Sequence, residues 1–364
     1  GGLAEQLARA RALVAALAAP EGEGQDNDTY YFDSYTHFGI HETMLRDKPR
    51  TGAYEDAIMK NKEDIEGKVV LDVGCGSGVL SLFAARAGAR RVIGVDRSGI
   101  LRHAREVVAL NGAGGTVELI QGKIEDLDLP VDKVDLIVSE WMGYALLYEA
   151  MLPSVLLARD RYLKPGGGLL PNTCRVYLEG VQEEGRVEWW ADVHGLDMRP
   201  LRDLALREPS VEVLDPAAVL TDTCLVQTFD LLTVKDEELD FESSFTLVAK
   251  EAGTLHAFCI WFDTGFEDPV CQHHAVTLST SPRDEPTHWK QAVLWIHPDN
   301  MLSFFEAGES VKGTFSLKRG DVNPRELDLE VKWWRSQDEE QMKGGENRVA
   351  QAEKVKSQQW HMGS

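Results

Sequence analysis

The spacing of apolar residues changes character twice along the chain. Leu3, Leu7, Ala10, Val14 and Leu17 recur at helical intervals through an alanine-rich stretch, predicting an amphipathic helix that Pro20 ends. Glu21 to Asp28 follow as a polar linker. From Lys68 onward, strand-like and helix-like runs alternate: Val69 to Val73, a helix from about Leu80 to Ala87, Arg91 to Val95, a helix from about Ile100 to Asn111, Val117 to Gln121, and Val134 to Ser139. This βαβα order predicts a parallel sheet with helices on both faces.

After Lys164-Pro165-Gly166-Gly167-Gly168 and Pro171 the period shortens. Cys174 to Leu178, Phe245 to Val248, Thr254 to Ile260, Ala275 to Leu278, Ala292 to Ile296, Ser310 to Leu317 and Leu327 to Trp333 are short alternating runs separated by turn residues. They predict a mostly β second half, a sandwich or a barrel. One stretch, Glu183 to Leu206, interrupts it with Trp189, Trp190, Val193, Leu196 and Leu201 at helical spacing, and reads as a helical insertion whose aromatic face needs a partner. The resulting division is 1–27 (helix and linker), 28–170 (α/β), 171–334 (β, with the insertion) and 335–364, a polar tail expected to be disordered. Gly1-Gly2 and His361 to Ser364 read as additions to the native chain.

With 364 residues, 43% of them hydrophobic, the chain can bury a large core in about two domains. Lys and Arg number 38 against 60 Asp and Glu, a net charge of −22 that disfavours phosphate backbones and suits basic partners. Direct nucleic-acid binding is not expected. The five cysteines, Cys75, Cys174, Cys224, Cys259 and Cys271, show neither metal-ligand spacing nor a disulfide framework. No apolar stretch is long enough for a membrane span, and the opening residues lack signal-peptide order, so a cytoplasmic protein that also enters the nucleus is expected.

Ser139-Glu140-Trp141-Met142-Gly143-Tyr144-Ala145-Leu146-Leu147-Tyr148-Glu149 sets two carboxylates at the ends of an almost wholly apolar step. Buried carboxylates need a partner, so this pair suits a dry pocket that receives a cation. On one straight helix the two acids would face opposite ways, so a bend is required, and Gly143 is the residue to supply it. Alone, the same acids would equally suit a solvated interdomain loop. Upstream, Val70-Leu71-Asp72-Val73-Gly74-Cys75-Gly76-Ser77-Gly78 ends one strand and Val92-Ile93-Gly94-Val95-Asp96 the next. Position 79 is Val, so the dinucleotide fingerprint lacks its last glycine, whereas G-x-G-x-G fits an S-adenosylmethionine loop. A nicotinamide enzyme is the alternative, and Asp96 taken singly would also serve as a helix cap.

Across roughly residues 28 to 334 the chain resembles the protein arginine N-methyltransferases. The matching blocks are Tyr31 to Leu45, then Asp47 and Arg50, the glycine loop, Ser139 to Glu149, and Thr287-His288-Trp289. The resemblance implies an α/β plus β architecture: a Rossmann-like S-adenosylmethionine-dependent methyltransferase domain, then a β-barrel domain carrying a helical arm, here 183–206, that clasps a second subunit. It implies S-adenosyl-L-methionine as cofactor, without a metal. Arg50 would pair with the cofactor carboxylate, His41, Asp72, Gly74 and Gly76 would contact it, Asp96 would take the ribose hydroxyls, and Ile124 and Glu125 the adenine. Many members carry Glu in place of Asp96; the shorter acid matches the zinc-finger-bearing type I branch, of which this chain resembles the catalytic core only.

A guanidinium is a delocalised cation with no free lone pair. Glu140 and Glu149, holding it from two sides, would polarise positive charge away from the attacking nitrogen. The proton released would pass to Glu149 or through His288 and Asp47. Tyr35 and Met44 would shape the pocket, and Trp289 would pack behind His288. Met44 resembles the type I pattern, which implies asymmetric dimethylarginine in arginine- and glycine-rich proteins, made by a homodimer. The competing readings are symmetric dimethylation, monomethylation, a small-molecule methyltransferase and a non-catalytic, cofactor-binding scaffold.

Overall fold

The computed structural model describes residues 38–302, 304–338 and 355–363. The proposed N-terminal helix and linker, and Tyr35, lie outside them. Two helices, α1 (Phe38–Arg46) and α2 (Lys48–Met59), lead into the first domain. Asp47 caps α2 and Pro49 stands in its first turn, where a missing N–H costs nothing.

Five strands form one parallel sheet: β1 (Val69–Val73), β2 (Arg91–Asp96), β3 (Val117–Gln121), β4 (Val134–Val138) and β5 (Leu163–Leu170), in the order β3-β2-β1-β4-β5. The crossovers carry α3 (Val79–Arg86), α4 (Leu101–Leu110) and α5 (Leu152–Tyr162). β1 is buried at every position, which is why its sequence is a continuous apolar run apart from Asp72. The chain reverses direction along the sheet between β1 and β4, the switch point above which open α/β sheets bind ligands. The Lys164–Gly168 turn of the sequence reading is instead part of β5. An edge strand with a register break against β4 tolerates proline and glycine that a central strand would reject.

The second half folds as two antiparallel sheets. One runs β7 (Ser210–Glu212), β12 (Gln291–Trp295), β10 (Ala257–Phe266), β6 (Thr173–Val181), β8 (Cys224–Asp230), with β11 (Val276–Ser279) also on β10. The other runs β15 (Lys356–Met362), β14 (Leu327–Arg335), β13 (Ser310–Arg319), β9 (Phe241–Val248). Edge-to-face aromatic pairs fill the space between them, Phe258 with Trp333 at 5.3 Å and Phe245 with Phe258 at 5.8 Å.

β15 departs from the expectation of a disordered tail at Lys356–Met362, while 339–354 lie outside the described residues. Gln358, Trp360 and Met362 alternate inward along it, Trp360 and Met362 are buried, and they pair with β14 through Leu329↔Trp360 and Leu327↔Met362. The polar intervening residues concealed a period of two. The insertion between β6 and β7 holds a 3-10 turn (Glu188–Ala191) and the short helix α6 (Arg199–Ala205). Trp189 and Trp190 meet edge-on at 5.0 Å, and Trp189, Leu196, Leu201 and Leu204 are exposed. Among the described residues no helix is long and apolar enough to cross a membrane.

Candidate active site

The glycine loop leaves β1 under tight backbone control. Gly74 and Cys75 N–H both donate to Val95 O, at 2.8 and 3.0 Å, and Gly74, Gly76 and Gly78 have φ of +73°, +49° and +81°. Side chains would strain this conformation, and a Cβ on Gly74 would also collide with the Met151 methyl. Gly76 N–H donates to Asp96 Oδ2 (2.8 Å), while Ser98 N–H and Oγ donate to Asp96 Oδ1, both at 2.7 Å. Asp96 is thus locked at the end of β2. It does not cap α4, whose N-cap is Ile100.

Asp72 departs from the sequence expectation of a cofactor contact. Successive strand side chains point to opposite faces, and Asp72 falls behind the loop, where it accepts from Ser81 Oγ on α3 at 2.6 Å and lines no part of the cleft. Its other oxygen has no partner among the described residues, and burial raises its pKa from 3.8 to about 7.

The double-acid step begins where β4 ends. Ser139 Oγ donates to Val73 O (2.7 Å), and Tyr54 of α2 donates its hydroxyl to Ser139 O (2.8 Å), so the departure of Glu140 from the sheet is fixed. The bend is not made where Gly143 predicted it. Ala145, Leu146, Glu149 and Ala150 have φ of +50°, +73°, +75° and +49°, left-handed values that cost a side-chain-bearing residue about 1–2 kcal/mol. Gly143 and Leu146 exchange backbone hydrogen bonds at 2.9 and 3.1 Å, and Gly143 is needed because a Cβ there would strike the Tyr148 carbonyl oxygen. The step is therefore a strained loop rather than a bent helix.

Glu140, Glu149 and Arg50 line one cleft together with His41, Met44, Gly74, Gly76, Asp96, Ile124 and Glu125. It encloses about 1070 Å³, its open mouth included. His41 is buried beneath the loop. Arg50 Nε and Nη2 donate to Glu140 Oε2 at 2.8 and 2.5 Å, and Nη1 to Met44 O at 3.3 Å; both charged side chains are 7% exposed. Burial would lower the pKa of this guanidinium, but Glu140 beside it outweighs that and raises it. Nη1 also reaches Thr51 Oγ1 at 3.4 Å and Nη2 the Met44 sulfur at 3.7 Å, so all five donors have partners, and the long contact to sulfur, a weak acceptor, is the one that a carboxylate would displace. Glu125 accepts from Ser154 Oγ at 2.5 Å.

His288 and Asp47 meet without lining this cleft. Asp47 Oδ2 accepts from His288 N–H (2.8 Å) and pairs with His288 Nδ1 (2.6 Å), while Oδ1 accepts from Arg50 N–H (2.9 Å). Burial opposes ionisation of Asp47, but the hydrogen bonds from His288 and Arg50 win and hold its pKa below the usual value. Trp289 packs 4.0 Å from the His288 ring and donates Nε1–H to Met142 O (2.8 Å). The second domain thereby grips both the start of α2 and the double-acid step.

Lining residues that escaped the sequence reading include Arg97, Gly122, Met151, Ser154 and Arg325. Met151 and Ser154 follow Glu149 closely enough that a wider window would have included them. Arg325 arrives from the turn after β13, and nothing local announces it.

A parallel sheet with the order 3-2-1-4-5, a glycine loop after its first strand, an acid after its second and a cleft over its switch point defines a methyltransferase-like nucleotide-binding domain. Residues 70–167 match the model of a methyltransferase domain, and residues 172–339 that of the arginine methyltransferase oligomerization subdomain. The chain is 46% identical over 308 residues to protein arginine N-methyltransferase 1 of Schizosaccharomyces pombe, covering 84% of this chain and 89% of that protein. It is 45% identical over 309 residues to the protein of the same name in Dictyostelium discoideum, covering 83% and 88%. Among solved structures it resembles a chain of the Trypanosoma brucei PRMT1 enzyme-prozyme heterotetrameric complex with AdoHcy, with TM-score 0.81, 38% identity, and coverage of 91% of this chain and all of that one. An open form of Arabidopsis thaliana protein arginine methyltransferase 10 gives TM-score 0.79 at 30% identity, covering 92% and 100%. The chain belongs to the protein arginine N-methyltransferase family.

Proposed function

We propose that this protein transfers methyl groups from S-adenosyl-L-methionine to guanidino nitrogens of protein arginine. The observation that carries the reading is the convergence of Glu140 and Glu149 on the cleft that the glycine loop lines. The residues present fit the cofactor: a buried cation, Arg50, whose weakest contact is to the Met44 sulfur, suits a carboxylate, and the locked Asp96 and the hydrogen-bonded Glu125 suit hydroxyl and amine donors. Arg50, His41, Gly74 and Gly76 would hold its amino-acid end, Asp96 the ribose, and Ile124 with Glu125 the base. When bound it supplies a methyl group activated by a sulfonium.

The chain's own residues do the rest. Glu149 and the oxygen of Glu140 that Arg50 leaves unused hold the substrate guanidinium by charge-assisted hydrogen bonds, orient one nitrogen and draw positive charge from it. Trp141 and Met142, both buried, help keep water away. Glu149 accepts the proton, since His288 lies outside the cleft lining. Met44 in the cleft wall supports an asymmetric dimethyl product, the −22 charge supports basic arginine- and glycine-rich substrates, and the exposed arm supports a homodimer.

The test is methyl transfer from a labelled donor to an arginine-glycine peptide, with mass analysis of the product isomer. Glu149→Gln is expected to cut transfer by about a hundredfold or more, to a residual rate that long incubations still measure, while leaving S-adenosylhomocysteine affinity within about threefold of the parent. Full turnover by that variant would refute the double-acid mechanism, and a symmetric product would refute the role given to Met44.

A further inference from the structure

Glu149 stands in a left-handed backbone conformation, φ +75°, next to a second such residue, Ala150, φ +49°. Residues with side chains persist there only when their surroundings over-determine them. What does so at Glu149 comes from the other domain. Glu149 N–H donates to Arg325 O at 2.8 Å, and Arg325 Nη1 donates back to Glu149 O at 2.5 Å. One residue, 176 positions further along the chain, thus takes both backbone polar groups of the acid.

Arg325 is itself well placed to act as an anchor. It sits in the turn joining β13 to β14, where its N–H donates to Asn323 Oδ1 (3.2 Å). The same turn is closed by Glu326 N–H to Asn323 O and Gly320 N–H to Glu326 O, both at 3.0 Å. On either side the strands continue in an unbroken antiparallel ladder, Arg319↔Leu327 to Val311↔Arg335. Arg325 also lines the cleft that Glu149 lines. The rigid part is therefore the hairpin, and the strained part is the loop that bears the acid.

We propose that Arg325 is a positioning residue: by clamping the main chain of Glu149 from the second domain, it fixes the direction in which that carboxylate meets the substrate guanidinium. This rests on the reading of Glu149 as a guanidinium-holding group. The interaction is a charge-assisted hydrogen bond to a carbonyl, so a lysine that reaches the same oxygen retains part of it, whereas methionine keeps the apolar stem and loses the donor.

The experiment compares Arg325→Met, Arg325→Lys, Glu149→Gln and the double variant Arg325→Met/Glu149→Gln as full chains. For each, kcat and KM for an arginine-glycine peptide, affinity for S-adenosylhomocysteine and thermal midpoint are measured. Arg325→Met is expected to lose at least tenfold in kcat, with cofactor affinity within threefold of the parent. Arg325→Lys is expected to recover at least a third of the lost rate. The double variant should be no slower than Glu149→Gln, because a residue that works through Glu149 has nothing left to position. Parent-like kcat in Arg325→Met overturns the proposal, as does a loss that lysine leaves untouched, or one that multiplies with that of Glu149→Gln. A Met variant that fails to fold leaves the lysine variant and its double with Glu149→Gln to decide by the same criteria. Parent-like turnover by Glu149→Gln, in contrast, defeats the double-acid reading itself, whatever Arg325 does.

Discussion

Replacing Arg50 with methionine strands Glu140. The two side chains are 7% exposed, and the guanidinium gives Glu140 Oε2 two hydrogen bonds, at 2.8 and 2.5 Å. A hydrogen bond to a charged group contributes about 1.5–3 kcal/mol, and removal of one member of a buried pair typically costs about 3–5 kcal/mol because the partner's charge is left uncompensated. The cleft beside the pair lets some water reach Glu140, which favours the lower end, about 3 kcal/mol. For a protein of this size that corresponds to a fall of about 4 °C in thermal midpoint. Urea denaturation followed by tryptophan fluorescence measures it on Arg50→Met, Glu140→Gln and the double variant. Since neither charge is stranded in the double variant, it should recover at least half of the loss suffered by Arg50→Met. A single variant within 1 kcal/mol of the parent, or a double variant whose loss is the sum of the two, would refute a buried and mutually dependent pair.

Asp72 carries a pH signature. Its folded pKa of about 7 lies above the usual 3.8, so the folded state holds the proton more tightly and this contribution is lost as pH rises from about 4 through 7. The total is about 4 kcal/mol, and Asp72→Asn should flatten the dependence of the urea midpoint on pH between 5 and 8; an unchanged slope would contradict a neutral buried Asp72. Gly143→Ala drives a Cβ into the Tyr148 carbonyl and should lower kcat more than tenfold while far-ultraviolet circular dichroism stays that of the parent; parent-like kcat would show that the loop has room. Leu201→Glu with Leu204→Glu puts charge on the exposed arm and is expected to give monomers by sedimentation; persisting dimers would count against the arm as the interface.

Of the site residues named from sequence, the structure brings Gly74, Gly76, Asp96, Glu140 and Glu149 to one cleft, and each is written in a short segment. Gly74 to Gly78, Asp96 and the two acids were legible because strand context and spacing fix what those residues face. The reading of Asp72 failed because a motif says which residue is present but not which face of β1 it occupies. Gly143 was read as the bend when its role is close approach, since spacing cannot reveal that Ala145 and Leu146 would take the left-handed conformations themselves. The strand at Lys356–Met362 was missed because a half-buried edge strand with three inward residues is locally indistinguishable from a polar tail.

The amino-acid sequence by itself determined the alternation of strand and helix, the switch to antiparallel strands near Pro171, the glycine loop, and the presence of two carboxylates in an apolar step. These follow from periodicity and backbone preference, which act over a few residues. The tertiary structure alone decided which partners those groups find: Arg50 for Glu140, His288 for Asp47, Trp289 for Met142, and Arg325 for the main chain of Glu149. The separations are 90, 241, 147 and 176 residues. The Arg50–Glu140 pair forms within the first domain, whereas the other three cross to the second, and such hydrogen bonds exist only once both domains have condensed around a shared core.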